Sequence, residues 1–154
     1  MDSSALRGIT VLFHDYDFHL TKLLEGIKLS DFLWYISNSE VYWQEDENEE
    51  LLAPGVYDGS TLSSMLEKSP CHIIHARIFA VPTGKYFADT NIRDYADFLE
   101  RSCEIGILCA DCLAEIYVKP QNLLRCITKN GQKHYKSSLS YITDENDART
   151  SFYI

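Results

Sequence analysis

Two stretches of this chain each set strand-type runs on either side of a polar turn too short to hold a helical crossover. In the first, residues 31–36 and 40–44 are rich in aromatic side chains and flank Ser37-Asn38-Ser39. In the second, residues 104–110 and 114–118 flank Asp111. Connections this short predict β-hairpins, and hairpins impose antiparallel pairing. A purely parallel, doubly wound sheet is therefore excluded.

The rest of the pattern fills in around those pairs. Residues 7–13 form a β-branched run of strand type, and residues 71–81 (Cys-His-Ile-Ile-His-Ala-Arg-Ile-Phe-Ala-Val) predict a long strand ended by Pro82-Thr83-Gly84. Leu20, Leu23, Leu24 and Ile27 recur at helical spacing behind Asp15 or Asp17 as a cap, with Gly26 weakening the last turn. Asp58 or Ser60 can cap a short helix carrying Leu62, Met65 and Leu66. Ile92, Tyr95, Ala96 and Leu99 mark a third helix over 92–101. A fourth starts at Pro120, buries Leu123, Leu124 and Ile127, and stops at Asn130-Gly131. A last strand falls over 138–142. The order predicts an α+β fold: a mostly antiparallel sheet with about four helices packed on one or both faces. At 154 residues, without an internal repeat or a Pro/Gly/Ser-rich linker, the whole chain 1–154 reads as a single domain.

Composition narrows the function classes. Fourteen Lys and Arg against 23 Asp and Glu leave a net charge of −9, which is unsuited to neutralising nucleic-acid phosphates. No apolar run approaches a membrane span. Met1 to Arg7 lacks the pattern of a secretion leader. Five cysteines, most of them inside apolar runs, read as reduced packing thiols in a cytoplasmic protein.

The most prominent candidate surface is acidic and aromatic. Glu45, Asp46, Glu47, Glu49 and Glu50 occupy five of the six positions 45–50, beside Trp34, Tyr35, Tyr42 and Trp43. Clustered carboxylates speed the encounter with a basic partner, and aromatic side chains anchor interfaces. The competing explanation is a solvated loop beside core aromatics. Two metal-binding arrangements compete with this. Cys109-Ala110-Asp111-Cys112 with His72 or His75 would suit zinc, and His14 with Asp17 a divalent ion. A lone Cys-x-x-Cys pair is weak, His14 and His19 stand five residues apart, and the expectation is no metal and no cofactor. Thr83-Gly84-Lys85 lacks the other residues of a phosphate loop, and no Gly-x-Ser-x-Gly or His-Glu-x-x-His motif occurs. No catalytic set emerges. Near the end, Thr143 or Asp144 can cap a turn with Asp147 reaching back, and Arg149 can pair with one of these carboxylates. An anion site using Arg149 and Thr150 is the alternative there.

Arg7-Gly8-Ile9, Trp34-Tyr35-Ile36 and the run Tyr141-Ile142-Thr143-Asp144-Glu145-Asn146-Asp147 with Arg149 together resemble a family of small bacterial proteins classed as a domain of unknown function. The resemblance spans nearly the whole chain, implies a bacterial cytosolic origin, and assigns no residue a role. The expectation is a non-catalytic protein-binding module, immunity- or antitoxin-like, whose partner is a basic protein. Its alternative is a small zinc domain or metal-dependent enzyme.

Overall fold

In a computed structural model, which describes residues 5–13, 18–43, 52–67, 71–85 and 92–154, seven antiparallel strands form one sheet. In chain order they are β1 (Leu6–Leu12), β2 (Phe32–Trp43), β3 (Gly55–Asp58), β4 (Cys71–Pro82), β5 (Ile105–Ala110), β6 (Leu113–Val118) and β7 (Leu139–Thr143). Across the sheet they run β3-β2-β4-β5-β6-β1-β7. The helices are α1 (Leu20–Leu23), α2 (Gly59–Glu67), α3 (Tyr95–Glu100) and α4 (Gln121–Tyr135). The α+β class and the antiparallel sheet stand as expected. No helix among the described residues is long and apolar enough to cross a membrane.

Strand alternation sorts the apolar residues into two clusters. Ile9, Val11, Trp34, Ile36, Ala76, Ile78, Ile107 and Ile116 belong to the first, with Leu20 and Leu23 of α1, Leu62 of α2, and Leu124 and Ile127 of α4. Phe79, Val81, Leu108, Tyr117 and Ile142 belong to the second, with Phe98 of α3 and Phe152. The β5–β6 hairpin turns on Asp111 and Cys112, at φ +53° and +63°. Two consecutive left-handed residues match the right-handed twist of the flanking strands.

The first predicted hairpin is not one. Ser37-Asn38-Ser39 lies inside a single twelve-residue strand, β2, because β4 is long enough to pair with both halves of it. Register shifts at Ser37/Glu40 and Glu40/Val41, and Asn38 at φ +51°, absorb the polar residues as a bulge. Their side chains find partners there: Asn38 Nδ2 donates to Ile154 O at 2.7 Å and Ser39 Oγ to Leu52 O at 2.8 Å.

The fourth helix also departs from expectation. It does not stop at Asn130-Gly131 but runs through to Tyr135. The Asn130 amide donates to Leu23 O and Glu25 O, both at 2.8 Å, closing the end of α1. A Cβ on Gly131 would stand 3.0 Å from both Ile9 Cδ1 and Leu139 Cδ1, so glycine lets α4 sit close to the sheet. Helix α1 itself is a single turn capped at Leu24, and Gly26 follows in the turn beyond it at φ +84°. Its expected caps, Asp15 and Asp17, lie outside the described residues, and the N-cap position is His19, whose side chain makes no cap bond. Asp58 caps α2, accepting from Thr61 N at 2.8 Å, and Asp94 caps the shortened α3, accepting from Asp97 N at 2.9 Å.

Candidate functional site

The aromatic–acidic patch is placed by β2 and its successor. Trp34 is fully buried, faces the first cluster, and donates its indole N–H to Leu29 O at 3.1 Å. It offers a partner nothing and serves the core. Tyr35 is half-buried and packs against the second cluster. Tyr42 is half-buried and its hydroxyl donates to Glu40 Oε1 at 3.1 Å. Trp43 ends β2, its side chain outside the description, and Glu45, Asp46, Glu47, Glu49 and Glu50 lie outside the described residues. The next described strand, β3, is the edge of the sheet and pairs only with Leu33–Ile36 of β2. Among the described residues, then, the half of β2 beyond the bulge carries no strand on its outer side.

The possible zinc ligands diverge. Ala76 pairs with Cys109 and His75 with Ala110, so Cys109 faces the first cluster while His75 faces the opposite side. There His75 Nε2 stands 3.5 Å from Glu40 Oε2, and its Nδ1 meets Asn38 O. Among the described residues no three His, Cys, Asp or Glu converge as a metal-binding group. His14 and Asp17, and the side chain of His72, lie outside the description.

A second candidate comes from the termini of the fold. Residues 143–149 fold back over β1 and β6 and bring together charges far apart in sequence. Arg7 Nε donates to Asp144 Oδ1 at 2.9 Å and its Nη1 to Asp147 Oδ2 at 3.1 Å. The Arg7 guanidinium also lies 3.9 Å from the centroid of the Tyr95 ring. Asp147, its side chain 3% exposed, accepts from the Tyr117 hydroxyl at 3.1 Å. Burial, reinforced by the Asp147 charge, pushes the Tyr117 phenol far above its ordinary range. The Arg149 guanidinium pairs with Glu115 of β6 at 2.8 Å, and not with Asp144 or Asp147 as its sequence neighbourhood suggested; only its backbone N–H donates to Asp147 Oδ1, at 3.1 Å. The turn is closed by Thr143 and Asn146 reciprocally: Asn146 N donates to Thr143 Oγ1 at 3.3 Å, and Thr143 N to Asn146 Oδ1 at 2.8 Å. Asn146 thus takes the part expected of Asp147.

This cluster borders an open groove of about 860 Å³ whose walls include Arg7, Tyr95, Leu99, Lys119 and Arg149. Its cations are engaged internally. The Lys119 ammonium donates to Phe98 O at 3.1 Å and Arg101 O at 2.6 Å, at the end of α3. Arg149 also donates to Ser151 O at 2.9 Å. A groove whose positive groups are consumed this way ties the tail and α3 to the sheet more readily than it captures an anion, the alternative for Arg149 and Thr150.

Three buried charges were missed from sequence: Arg77 and Glu115 within strands, and Asp97 in α3. Arg77 Nε donates to Phe152 O at 3.1 Å and its Nη1 to Ser37 Oγ at 3.3 Å, joining the tail to the bulge. The available signal for the two in strands was a single charge inside an apolar strand run, Ala-Arg-Ile-Phe and Ala-Glu-Ile-Tyr, where only a bonded side chain is tolerated.

A family model described as "Protein of unknown function (DUF2691)" matches residues 6–153. The chain belongs to this family. It is also similar to the "Uncharacterized protein YncE" of Bacillus subtilis (strain 168), with 28% identity over 150 residues, covering 94% of this chain and 97% of that protein. No solved structure matches. The family model spans the strands and tail that form the Arg7–Asp147–Tyr117 cluster and also the acidic segment.

Proposed function

We propose that this chain is a non-catalytic protein-binding module, immunity- or antitoxin-like in role, which meets a basic protein through the segment following β2. The observation that carries the reading is the run of five acids over 45–50 leading from β2 towards the edge strand β3. A sheet edge offers unpaired backbone groups, and neighbouring carboxylates raise the encounter rate with a cationic surface. Tyr35 and Tyr42 are the described aromatics available as anchors, with Trp43 beside them in sequence; Trp34 is withdrawn from that role by its burial. The net charge of −9 turns the reading away from nucleic acid, and the reduced-thiol reading of the cysteines goes with a cytoplasmic setting.

The test is retention of proteins from a lysate of the host on the immobilised chain, at low and at high salt. A parallel column carries a variant with Glu45, Glu47, Glu49 and Glu50 changed to Gln and Asp46 to Asn. Basic proteins held at low salt, released at high salt and lost from the variant column support the reading. Retention that is unchanged by the variant, or none at low salt, overturns it.

A further inference from the structure

The acidic surplus is not evenly spread. Between residues 116 and 143 stand Lys119, Arg125, Lys129, Lys133 and Lys136 and not one Asp or Glu. The remainder of the chain holds nine basic against 23 acidic side chains. In the fold this basic stretch is mostly α4. Leu124, Ile127, Asn130 and Gly131 turn inward, and Arg125, Lys129 and Lys133, four residues apart, form a row on the exposed side. Beyond the helix Lys136 extends the row. Against β7 it borders a groove of about 540 Å³ lined by Lys129, Gln132, Lys133, Lys136, Leu139 and Tyr141. The Gln132 amide donates to the Tyr141 hydroxyl, which sets the aromatic wall. Lys133 stands 3.3 Å from Glu25. Among the described residues, no carboxylate within ion-pair distance is seen for Lys129 or Lys136.

We propose that this groove is the seat of the acidic segment 45–50 of a second copy of the chain. The inference rests on reading that segment as a docking element and names its partner. The spacing fits. In an extended segment alternate residues are about 6.6 Å apart, and helix positions four apart are separated by about 6 Å along the axis. Glu45, Glu47 and Glu49 on one side of an extended chain therefore meet the lysine row in step. The strand from which that segment departs and the helix that carries the lysines are also well separated across the sheet. The acidic segment follows β2, while Gly131 of α4 packs on β1 and β7, and β1 is four strands from β2, about 19 Å. With the departure strand and the lysine helix so separated, contact between molecules is favoured. Each copy carries both the segment and the seat, so assembly grows with concentration.

Sedimentation velocity over a concentration series tests it, at about 0.01 M salt, where charges interact over about 30 Å, and at about 1 M, where they do so over about 3 Å. The wild type is expected to associate at low salt and to be monomeric at high salt. Lys129→Glu with Lys136→Glu, and separately the five-fold neutralised 45–50 variant, are each expected to stay monomeric at low salt. Mixed together they are expected to form a one-to-one dimer, because one variant keeps the acidic segment and the other keeps the lysines. A wild type that is monomeric at both salts, association that survives either variant, or a mixture that fails to pair overturns the proposal. A wild type that is monomeric yet retains basic lysate proteins in a segment-dependent way refutes self-docking alone. A wild type that self-associates through the seat while retaining nothing else refutes only a separate basic partner.

Discussion

Removing the Asn130 side chain tests how α1 is held to α4. Asn130 is 7% exposed and its amide donates at 2.8 Å to the carbonyls of both Leu23 and Glu25. These are end-of-helix acceptors that α1, a single turn, cannot satisfy itself. Two such bonds are worth about 1 kcal/mol each, and stranding the buried Leu23 carbonyl adds about 1 kcal/mol. Alanine recovers about 0.7 kcal/mol of helix propensity. Asn130→Ala is therefore expected to cost about 2 kcal/mol, lowering the melting temperature by about 4–8 °C for a chain of this size. Asn130→Asp is expected to cost more at neutral pH, because a carboxylate would face two carbonyls with no proton to donate. That arrangement raises the introduced carboxyl's pKa, so its deficit shrinks as pH falls through the raised value, where the neutral acid donates one bond. Urea titrations at pH 7 and pH 4 read both effects as a shift of midpoint at constant slope. If Asn130→Ala is neutral, or if Asn130→Asp is as mild as alanine at pH 7, the account of this joint is wrong.

Three further outcomes are expected. A Cβ on Gly8 would fall 1.7 Å from Ile116 O, so Gly8→Ala has to push β1 off β6 and is expected to lose about 3 kcal/mol or more, read as a collapse of the chemical denaturation midpoint. Tyr117→Phe removes a hydroxyl bonded to the Asp147 carboxylate at 3.1 Å, and is expected to cost about 1.5–3 kcal/mol. Because the Tyr117 phenol titrates above its ordinary value when folded, wild-type stability is expected to fall as pH rises beyond about 10, and the variant to fall less. Hydrogen bonds from Arg93 hold the Asp97 carboxyl below its ordinary value, so its contribution is complete above about pH 4 and lost as pH falls through the lowered value. Asp97→Asn is expected to flatten acid unfolding followed by circular dichroism, and an unchanged acid limb would refute the assignment.

The candidate site was legible in sequence only in part. The acidic run and its neighbouring aromatics stand out in the sequence, but which rings face outward depends on strand phase. Trp34 and Tyr35 are adjacent and therefore opposed, one wholly inside the first cluster and the other half-exposed beside the second. The α4 groove was less legible still. Its lysines are regularly spaced, yet Leu139 and Tyr141 reach them only because β7 returns beside β1.

What the amino-acid order determined alone was whatever depends on near neighbours. The apolar run of β4, the β5–β6 turn at Asp111-Cys112 and the inward stripe Leu124–Ile127 are set by pleat, turn chemistry and helical spacing, each acting over a few residues. Tertiary structure decided the places where local chemistry allowed two outcomes. Asn38 accepts a left-handed φ in a hairpin or in a bulge, and the length of β4 selected the bulge. Asn130-Gly131 can end a helix or dock one, and the open carbonyls of Leu23 and Glu25 selected docking. Arg149 has Asp144, Glu145 and Asp147 just before it in sequence, but Glu115 is the one the sheet presents to its guanidinium. In each case the deciding group lies more than thirty residues away, beyond the reach of any local preference.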